Sequence, residues 1–389
     1  MATLKDVAQE TGLGLGTVSR ALSGHPRVRP ETRQQVESAA RKLGYQSNGL
    51  ARALRQSHSN AVGLIIPDLE NEFYTTAASV VQSALAAEGY RLVLCCSNNI
   101  PEVDATLLGS LVESRVDGII HVPCTAEGSV RTRELNPDLP VVEYARQSGG
   151  YAVDAVIGDD DRGSAELVDH LVELGHRHIA MIAGPADLST TKARVAGFRQ
   201  ACRRHRLLNR DCPVLYGPAY DVDWGAAATE EILRGRPDVT AIFASSSRSA
   251  LGSLKALNER GVRVPEDMSV VGFLNPMWFD VSDPPLTTYE LPLSDMGAMA
   301  ARVLLERIRS PRAAGDANVV RFQGRLVVRS STARARSQGT SSDPTGRSRA
   351  PAAREPVRDA ASPPAKVRRA GATSAPTRKP ASAALAPHE

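Results

Sequence analysis

The sequence predicts an α/β protein carrying a small all-α head, and three observations lead there. Two short amphipathic helical patterns flank a glycine break in the first 24 residues. From Ala61 to Thr332, short β-branched runs alternate with amphipathic helices. Beyond Thr332 the composition turns abruptly to Ala, Ser, Pro and Arg.

The head comes first. In TLKDVAQETGLGLGTVSRALSG, from Thr3 to Gly24, Leu4, Val7 and Ala8 share one helical face while Lys5, Asp6, Gln9 and Glu10 point away. Thr3 is placed to cap this helix, with Asp6 three residues on as the reciprocal member of a capping-box pair. Gly12, Leu13 and Gly14 break the pattern, and Val18, Ala21 and Leu22 resume it. A third helix is predicted over Pro30 to Leu43, with Val36, Ala39, Ala40 and Leu43 on its inner face, Pro30 in its first turn and Gly44 ending it. Three such helices close one compact core, and the first two form a helix-turn-helix. Residues 1–47 make up this unit.

Next, Asn48 to Arg55 (NGLARALR) offers a capping asparagine and sets Leu50 and Leu54 on one face. A helix this short does not hold alone in water. Residues 48–60 therefore read as a hinge.

The ordered motifs T-x-K-D-V-A, T-V-S-R-x-L, P-E-T-R, L-G-Y and N-x-L-A-R-x-L resemble the LacI/GalR family of bacterial transcription regulators, and the resemblance extends to about Thr332. It implies a homodimer that binds a near-palindromic operator in double-stranded DNA and grips or releases it when a small molecule occupies the second domain. The second helix would enter the major groove, where Arg20 can bridge guanine O6 and N7 and Thr17 and Ser19 can reach phosphates or base edges. The family's two main base-reading positions fall on Leu15 and Gly16. Leu15 can touch a thymine methyl, whereas Gly16 only lets backbone approach, at a helix cost of roughly 1 kcal/mol relative to alanine. Gly14 replaces a usual capping serine. The expectation is a head that is loosely folded without DNA and reads fewer bases directly. By the same resemblance, paired hinges set Leu54 into the minor groove at a central base step, with Asn48 capping and Arg52 and Arg55 on phosphates.

The alternating region, residues 61–333, has strand candidates AVGLIIP from Ala61, RLVLCC from Arg91, GIIHV from Gly118, HIAMIAG from His178, AIFAS from Ala241 and SVVGF from Ser269. Helical stretches such as Tyr74 to Glu88, Asp104 to Ser114, Arg162 to Leu174 and Ala193 to Arg204 separate them. Repeated β-α-β units make parallel sheets, and ligands sit beyond the carboxyl ends of such strands. The resemblance, which includes periplasmic sugar receptors, implies a periplasmic-binding-protein-like sensor with two lobes. The first spans about 61–160 with 291–321, the second about 161–289. Residues just past predicted strands are the effector-site candidates: Phe73, Tyr74, Arg146, Thr190, Arg194, Tyr220 and Asn275. Three pocket aspartates usual in sugar-binding members align with Ala145, Ser247 and Leu274. With those acceptors gone and Arg146 and Arg194 present, a simple sugar is disfavoured, and an acidic or aromatic molecule held by arginine and the Phe73, Tyr74 and Tyr220 rings is expected.

Charge divides the chain in the same way. Residues 1–60 carry a net +5 and residues 334–389 a net +7 against +4 for the whole, which leaves the sensor region at −8. A basic end on an acidic body suits a protein whose head alone meets a polyanion. The tail, 334–389, holds eight prolines and no aromatic residue, too little apolar surface to offset chain entropy.

Other signals weigh against further chemistry. Gly12 to Gly16 is no nucleotide loop, because Thr17 stands where the third glycine belongs. Asp159, Asp160 and Asp161 precede a predicted helix and are assigned to capping and the helix dipole rather than to a metal. His176 and His178 alternate across a strand start. No nucleophile, base and orienter set emerges from the eight histidines, so neither catalysis nor a cofactor is expected. Five cysteines without metal spacing fit a reduced, cytoplasmic setting, and no apolar run approaches a membrane span. A solute-binding module with a vestigial head and a DNA-architectural protein with a silent sensor remain as rivals.

Overall fold

The computed structural model describes residues 2–22, 25, 27–45, 59–125, 128, 130–149, 153–310 and 317–336. The hinge positions Asn48, Arg52, Leu54 and Arg55, and the tail from residue 337 onward, lie outside the described residues.

The head holds helices α1 (Leu4–Thr11), α2 (Leu15–Leu22) and α3 (Pro30–Lys42). The capping box forms as expected: the Asp6 amide donates to Thr3 Oγ1 at 3.4 Å, and the Thr3 amide donates to Asp6 Oδ2 at 2.7 Å. Gly12 ends α1 with a left-handed φ of 67°, a conformation that glycine adopts without a steric penalty. Val7, Val18, Ala21, Val36, Ala39 and Ala40 are buried together, with Leu4, Ala8, Leu22 and Leu43 around them. Each fully buried valine adds about 1.5 kcal/mol or more, enough to join three helices that are individually too short to persist.

After residue 60 come two six-stranded sheets. The first contains β1 (Ala61–Ile66), β2 (Arg91–Cys96), β3 (Gly118–His121), β4 (Val141–Tyr144), β5 (Asp154–Gly158) and β11 (Val319–Phe322), in the order β11-β5-β4-β3-β1-β2 and all parallel. The second contains β6 (Ile179–Ala183), β7 (Val214–Tyr216), β8 (Ala241–Ala244), β9 (Ser269–Phe273), β10 (Thr287–Glu290) and β12 (Arg325–Val327), in the order β12-β10-β9-β8-β6-β7. Here β12 runs antiparallel to β10. Apart from that edge strand, the second sheet repeats the topology of the first, strand for strand.

Helices cover both faces, which is why β1 reads as an uninterrupted apolar run and is buried throughout. Val62, Leu64, Ile120 and Val142 pack in one cluster with Val81 and Leu85 of α4 (Glu72–Ala87) and Leu304 of α12 (Leu293–Arg309). Ile65, Ile119 and Val141 face Leu108 and Leu111 of α5 (Pro101–Glu113). In the second sheet Ile182, Ile242 and Val270 pack with Ile232 of α9 (Val222–Gly235) and Leu257 of α10 (Ser247–Glu259). The remaining helices are α6 (Val130–Leu135), α7 (Asp160–Glu173), α8 (Ser189–Arg204) and α11 (Trp278–Val281). The chain crosses between the sheets after β5, after β10 and after β11. The crossings touch: a Cβ at Gly324 would lie 2.2 Å from the Glu290 carbonyl oxygen, so only glycine fits there.

Several boundaries move from their predicted places. Asn71 caps α4 by accepting the Phe73 amide at 3.1 Å, so the helix begins at Glu72, two residues ahead of the predicted Tyr74, and takes Phe73 into its first turn. Likewise α8 begins at Ser189, ahead of the predicted Ala193, and carries both Thr190 and Arg194. Helix α7 begins at Asp160, and Asp159 makes no side-chain cap bond. His176 and His178 precede β6 and do not alternate along it. His176 is buried, with Thr240 Oγ1 at 2.8 Å, Ser269 Oγ at 3.0 Å and the Ala333 carbonyl at 3.0 Å, while His178 pairs with Asp238 at 2.9 Å.

Candidate functional site

On the head, α2 presents Leu15 outward at 45% exposure, with Gly16 and Arg20 also exposed and Thr17 and Ser19 half-buried. Gly14 stands in the cap position, its carbonyl accepting the Thr17 and Val18 amides at 2.8 and 3.1 Å. Arg20 lies back along its own helix, Nε donating to the Gly16 carbonyl at 3.0 Å. A Cβ at position 16 would make only ordinary contact with it, 3.5 Å from Arg20 Nη2.

The carboxyl ends of the two sheets enclose a small cavity of about 40 Å³. Phe73, Tyr74, Arg146, Thr190, Arg194 and Tyr220 all line it. Of the predicted effector residues, Asn275 does not: it borders a separate cavity of about 650 Å³ beside the crossings, and its side chain is held by Glu290 at 3.1 Å and Arg329 at 2.9 Å. A residue past a strand end can turn toward the crossing segments instead of the cleft. Asp68, Asn71, Asn99 and Ser246 also line the small cavity and were not anticipated. Asn71 could have been found, because an asparagine opening a helix directly after a strand sits at such a rim.

The two arginines in this cleft differ. Arg194, 6% exposed, donates from Nε and Nη2 to Asp160 Oδ1 at 3.1 and 3.0 Å and from Nη1 to the Ser245 carbonyl at 2.7 Å. Its guanidinium carbon lies 4.2 Å from the Phe273 ring centre and 5.6 Å from that of Tyr220. Burial pushes the Asp160 carboxyl up, against the pull of the guanidinium beside it. Asp160, expected to serve the helix dipole, is thus the counterion of Arg194. Arg146, 4% exposed, has neutral partners among the described residues: Asn99 Oδ1 at 2.8 Å and the Pro123 carbonyl at 3.4 Å, both from Nη1.

Two backbone positions shape the site. Ala145, just past β4, has a φ of 62° with the Arg146 amide donating back to the Tyr144 carbonyl at 2.6 Å, and Leu274, at the equivalent place past β9, has a φ of 74°. Non-glycine residues in this region are strained by about 1–3 kcal/mol and cluster at ligand sites. Both line the small cavity, and Leu274 and Phe73 also border the large one, while Ser247 borders only the large one. The rim is bridged by Arg248, whose Nη2 is 3.3 Å from Glu70 and whose Nε is 3.7 Å from Asp68, and by the Gln147 amide donating to Ser189 Oγ at 2.8 Å.

An Asp–His–Cys arrangement that sequence reading did not find lies under the first sheet: His121 Nε2 is 3.0 Å from Asp104 Oδ2, with Cys124 beside them. It does not form a nucleophile. Burial, reinforced by Asp104, pushes the Cys124 thiol up to about 12, and the imidazole is fully enclosed. Among the described residues no group of His, Cys, Asp and Glu could hold a metal, and no helix is long and apolar enough to cross a membrane.

Comparison with known proteins places these features. The pattern of bacterial regulatory proteins of the lacI family matches residues 3–48, and that of a periplasmic binding protein-like domain matches residues 168–332. Catabolite control protein A of Priestia megaterium is 31% identical over 332 residues, which is 85% of this chain and 99% of that protein. The HTH-type transcriptional repressor PurR of Edwardsiella ictaluri is 32% identical over 337 residues, covering 86% of this chain and 97% of its own. Among solved structures, the lac repressor dimer bound to operator and the anti-inducer ONPF matches with a TM-score of 0.75 at 25% identity, over 85% of this chain and 99% of that one. A CelR transcriptional regulator in complex with cellobiose matches with a TM-score of 0.64 at 30% identity, over 85% and 100%.

Proposed function

Because the chain belongs to the LacI family of bacterial regulatory proteins, we propose that it is a homodimeric, sequence-specific repressor of transcription whose DNA grip is governed by a small molecule bound between the two sensor lobes. The observation that carries this reading is that similarity at 31% identity runs through head and sensor together over nearly the whole of a regulator's length. Residues 1–47 are the reading head, 48–60 the hinge, 61–333 the effector-binding and dimerising part, and 334–389 a basic tail. Two heads related by a two-fold axis fit an operator whose half-sites repeat about one helical turn apart.

In the groove Arg20 is the side chain with bidentate capacity for guanine, freed from the Gly16 carbonyl when DNA arrives, and Leu15 gives an apolar contact suited to a thymine methyl. Thr17 and Ser19 bond phosphates or base edges. Asn48, Arg52, Leu54 and Arg55 form the hinge, with Leu54 wedged at the operator centre. Phe73, Tyr74, Arg146, Thr190, Arg194 and Tyr220 surround the effector. Asn275 is left to the crossing segments. Ligand and operator then bias one lobe arrangement and change each other's affinity by the same factor. The protein acts in the cytoplasm, on the nucleoid.

Selection of genomic fragments by the full chain, followed by footprinting against random competitor DNA, tests this. The expected result is a protected, near-palindromic site that survives competitor and weakens steeply with salt. Protection without sequence preference would leave an architectural protein instead.

A further inference from the structure

Arg146 is the one side chain in the cleft whose charge the described residues leave unanswered. It is 4% exposed, and its Nη1 donates to the Asn99 amide oxygen and to the Pro123 carbonyl, both neutral acceptors. Holding a cation away from water with neutral partners is costly unless an anion joins it. Nearby, Arg194 is paired with Asp160, while the part-exposed Asp68 shares Arg248 with Glu70.

A second observation points to the same place. Thr190 Oγ1, from the opposite lobe, is buried in a residue 7% exposed, lines the same cavity and has no hydrogen-bond partner among the described residues. A buried hydroxyl without a partner costs about 1–3 kcal/mol. Natural proteins keep such groups where something else satisfies them.

We infer that the cleft takes a small monocarboxylate, its two oxygens bound by Arg146 and by the Thr190 hydroxyl. This rests on the reading of the cleft as the effector site, and it names the ligand class. One carboxylate supplies the single negative charge that Arg146 lacks, and its planar pair of oxygens matches the guanidinium fork. A cavity of about 40 Å³ has room for that head group and little else. The body of the ligand lies against Phe73 and Leu274, the residues shared with the cavity of about 650 Å³, and it extends toward that space. A phosphate dianion asks for more donors than Arg146 and Thr190 present. Arg194 is not the anion anchor, because Asp160 already neutralises it. It shapes the wall.

The test is calorimetric titration of the full chain with acetate, propionate and benzoate, with their uncharged amides, with inorganic phosphate and with ribose and glucose, at matched ionic strength. At least one carboxylate binds, its amide binds at least about tenfold more weakly, as loss of a charge-assisted pair implies, and phosphate and sugars trail both. Arg146→Gln abolishes the preference for acid over amide, and Thr190→Val reduces it. Thr190→Val serves alone if the arginine variant fails to fold. The inference is overturned if no carboxylate binds at millimolar concentration, if acid and amide bind equally, or if a sugar binds best and ignores Arg146→Gln. An operator footprint that a bound carboxylate leaves unchanged would contradict the effector-governed repressor and leave the carboxylate site standing.

Discussion

Arg194 and Arg146 reach the same cleft from opposite lobes, both nearly fully buried, and their surroundings differ. Arg194 is a finished structural unit, with a carboxylate beneath, a carbonyl beside and aromatic rings above. Arg146 is unfinished, tied by one nitrogen to neutral oxygens. Two buried cations thus meet at one cleft from non-equivalent places, Arg146 from the segment after β4 and Arg194 from helix α8. Sites with unmet polar groups are destabilising in the empty protein, and that stability is recovered when ligand binds.

The largest effect is expected at Arg194. Arg194→Met should cost about 3–5 kcal/mol, because it strands Asp160 as a buried unpaired carboxylate, and urea denaturation would read the loss. Adding Asp160→Asn to that variant should return part of it, since no charge is then left unanswered. If the double variant is no more stable than the single, the pair is not what holds this wall.

Smaller effects sharpen the picture. Ala145→Gly should stabilise the protein by about 0.5–1 kcal/mol, since glycine adopts the left-handed turn without strain. The same change should loosen how Arg146 is aimed, so thermal melting should improve while carboxylate binding weakens. Least in size is a pH effect. Burial pulls both His170 and His176 below the ordinary imidazole range, so the unfolded chain binds protons more readily than the folded one. Their stabilisation is complete above an unfolded pKa of about 6.5 and fades as pH falls below it. Melting temperature should drop between pH 7.5 and pH 5, and His176→Asn should flatten that dependence.

How much of this could be read from sequence follows from range along the chain. Local chemistry was legible: the Thr3–Asp6 capping box, the Gly12 stop, the apolar stripes of the head and the β-branched runs of β1, β3, β6, β8 and β9. The cleft rim was largely legible too, because in parallel sheets the positions after strands converge. What stayed hidden depends on distant pairing. Asp160 looked like a helix-dipole residue until Arg194, 34 positions away, folded onto it. Asn275 followed a strand as the others did, and its orientation was decided by Glu290 and Arg329. Strands β11 and β12 are short sheet-edge segments carrying arginines, which no hydrophobic run announces. His176 is buried by a C-terminal segment whose return at Ala333 has no local signature.

If one arginine serves the fold while the other awaits a ligand, the melting temperatures of Arg146→Met and Arg194→Met in ligand-free buffer must part. Arg146→Met should melt at or above the unsubstituted protein, because it removes a buried charge that no carboxylate among the described residues pairs with, whereas Arg194→Met should melt well below it. Equal, large losses in both variants would contradict the account.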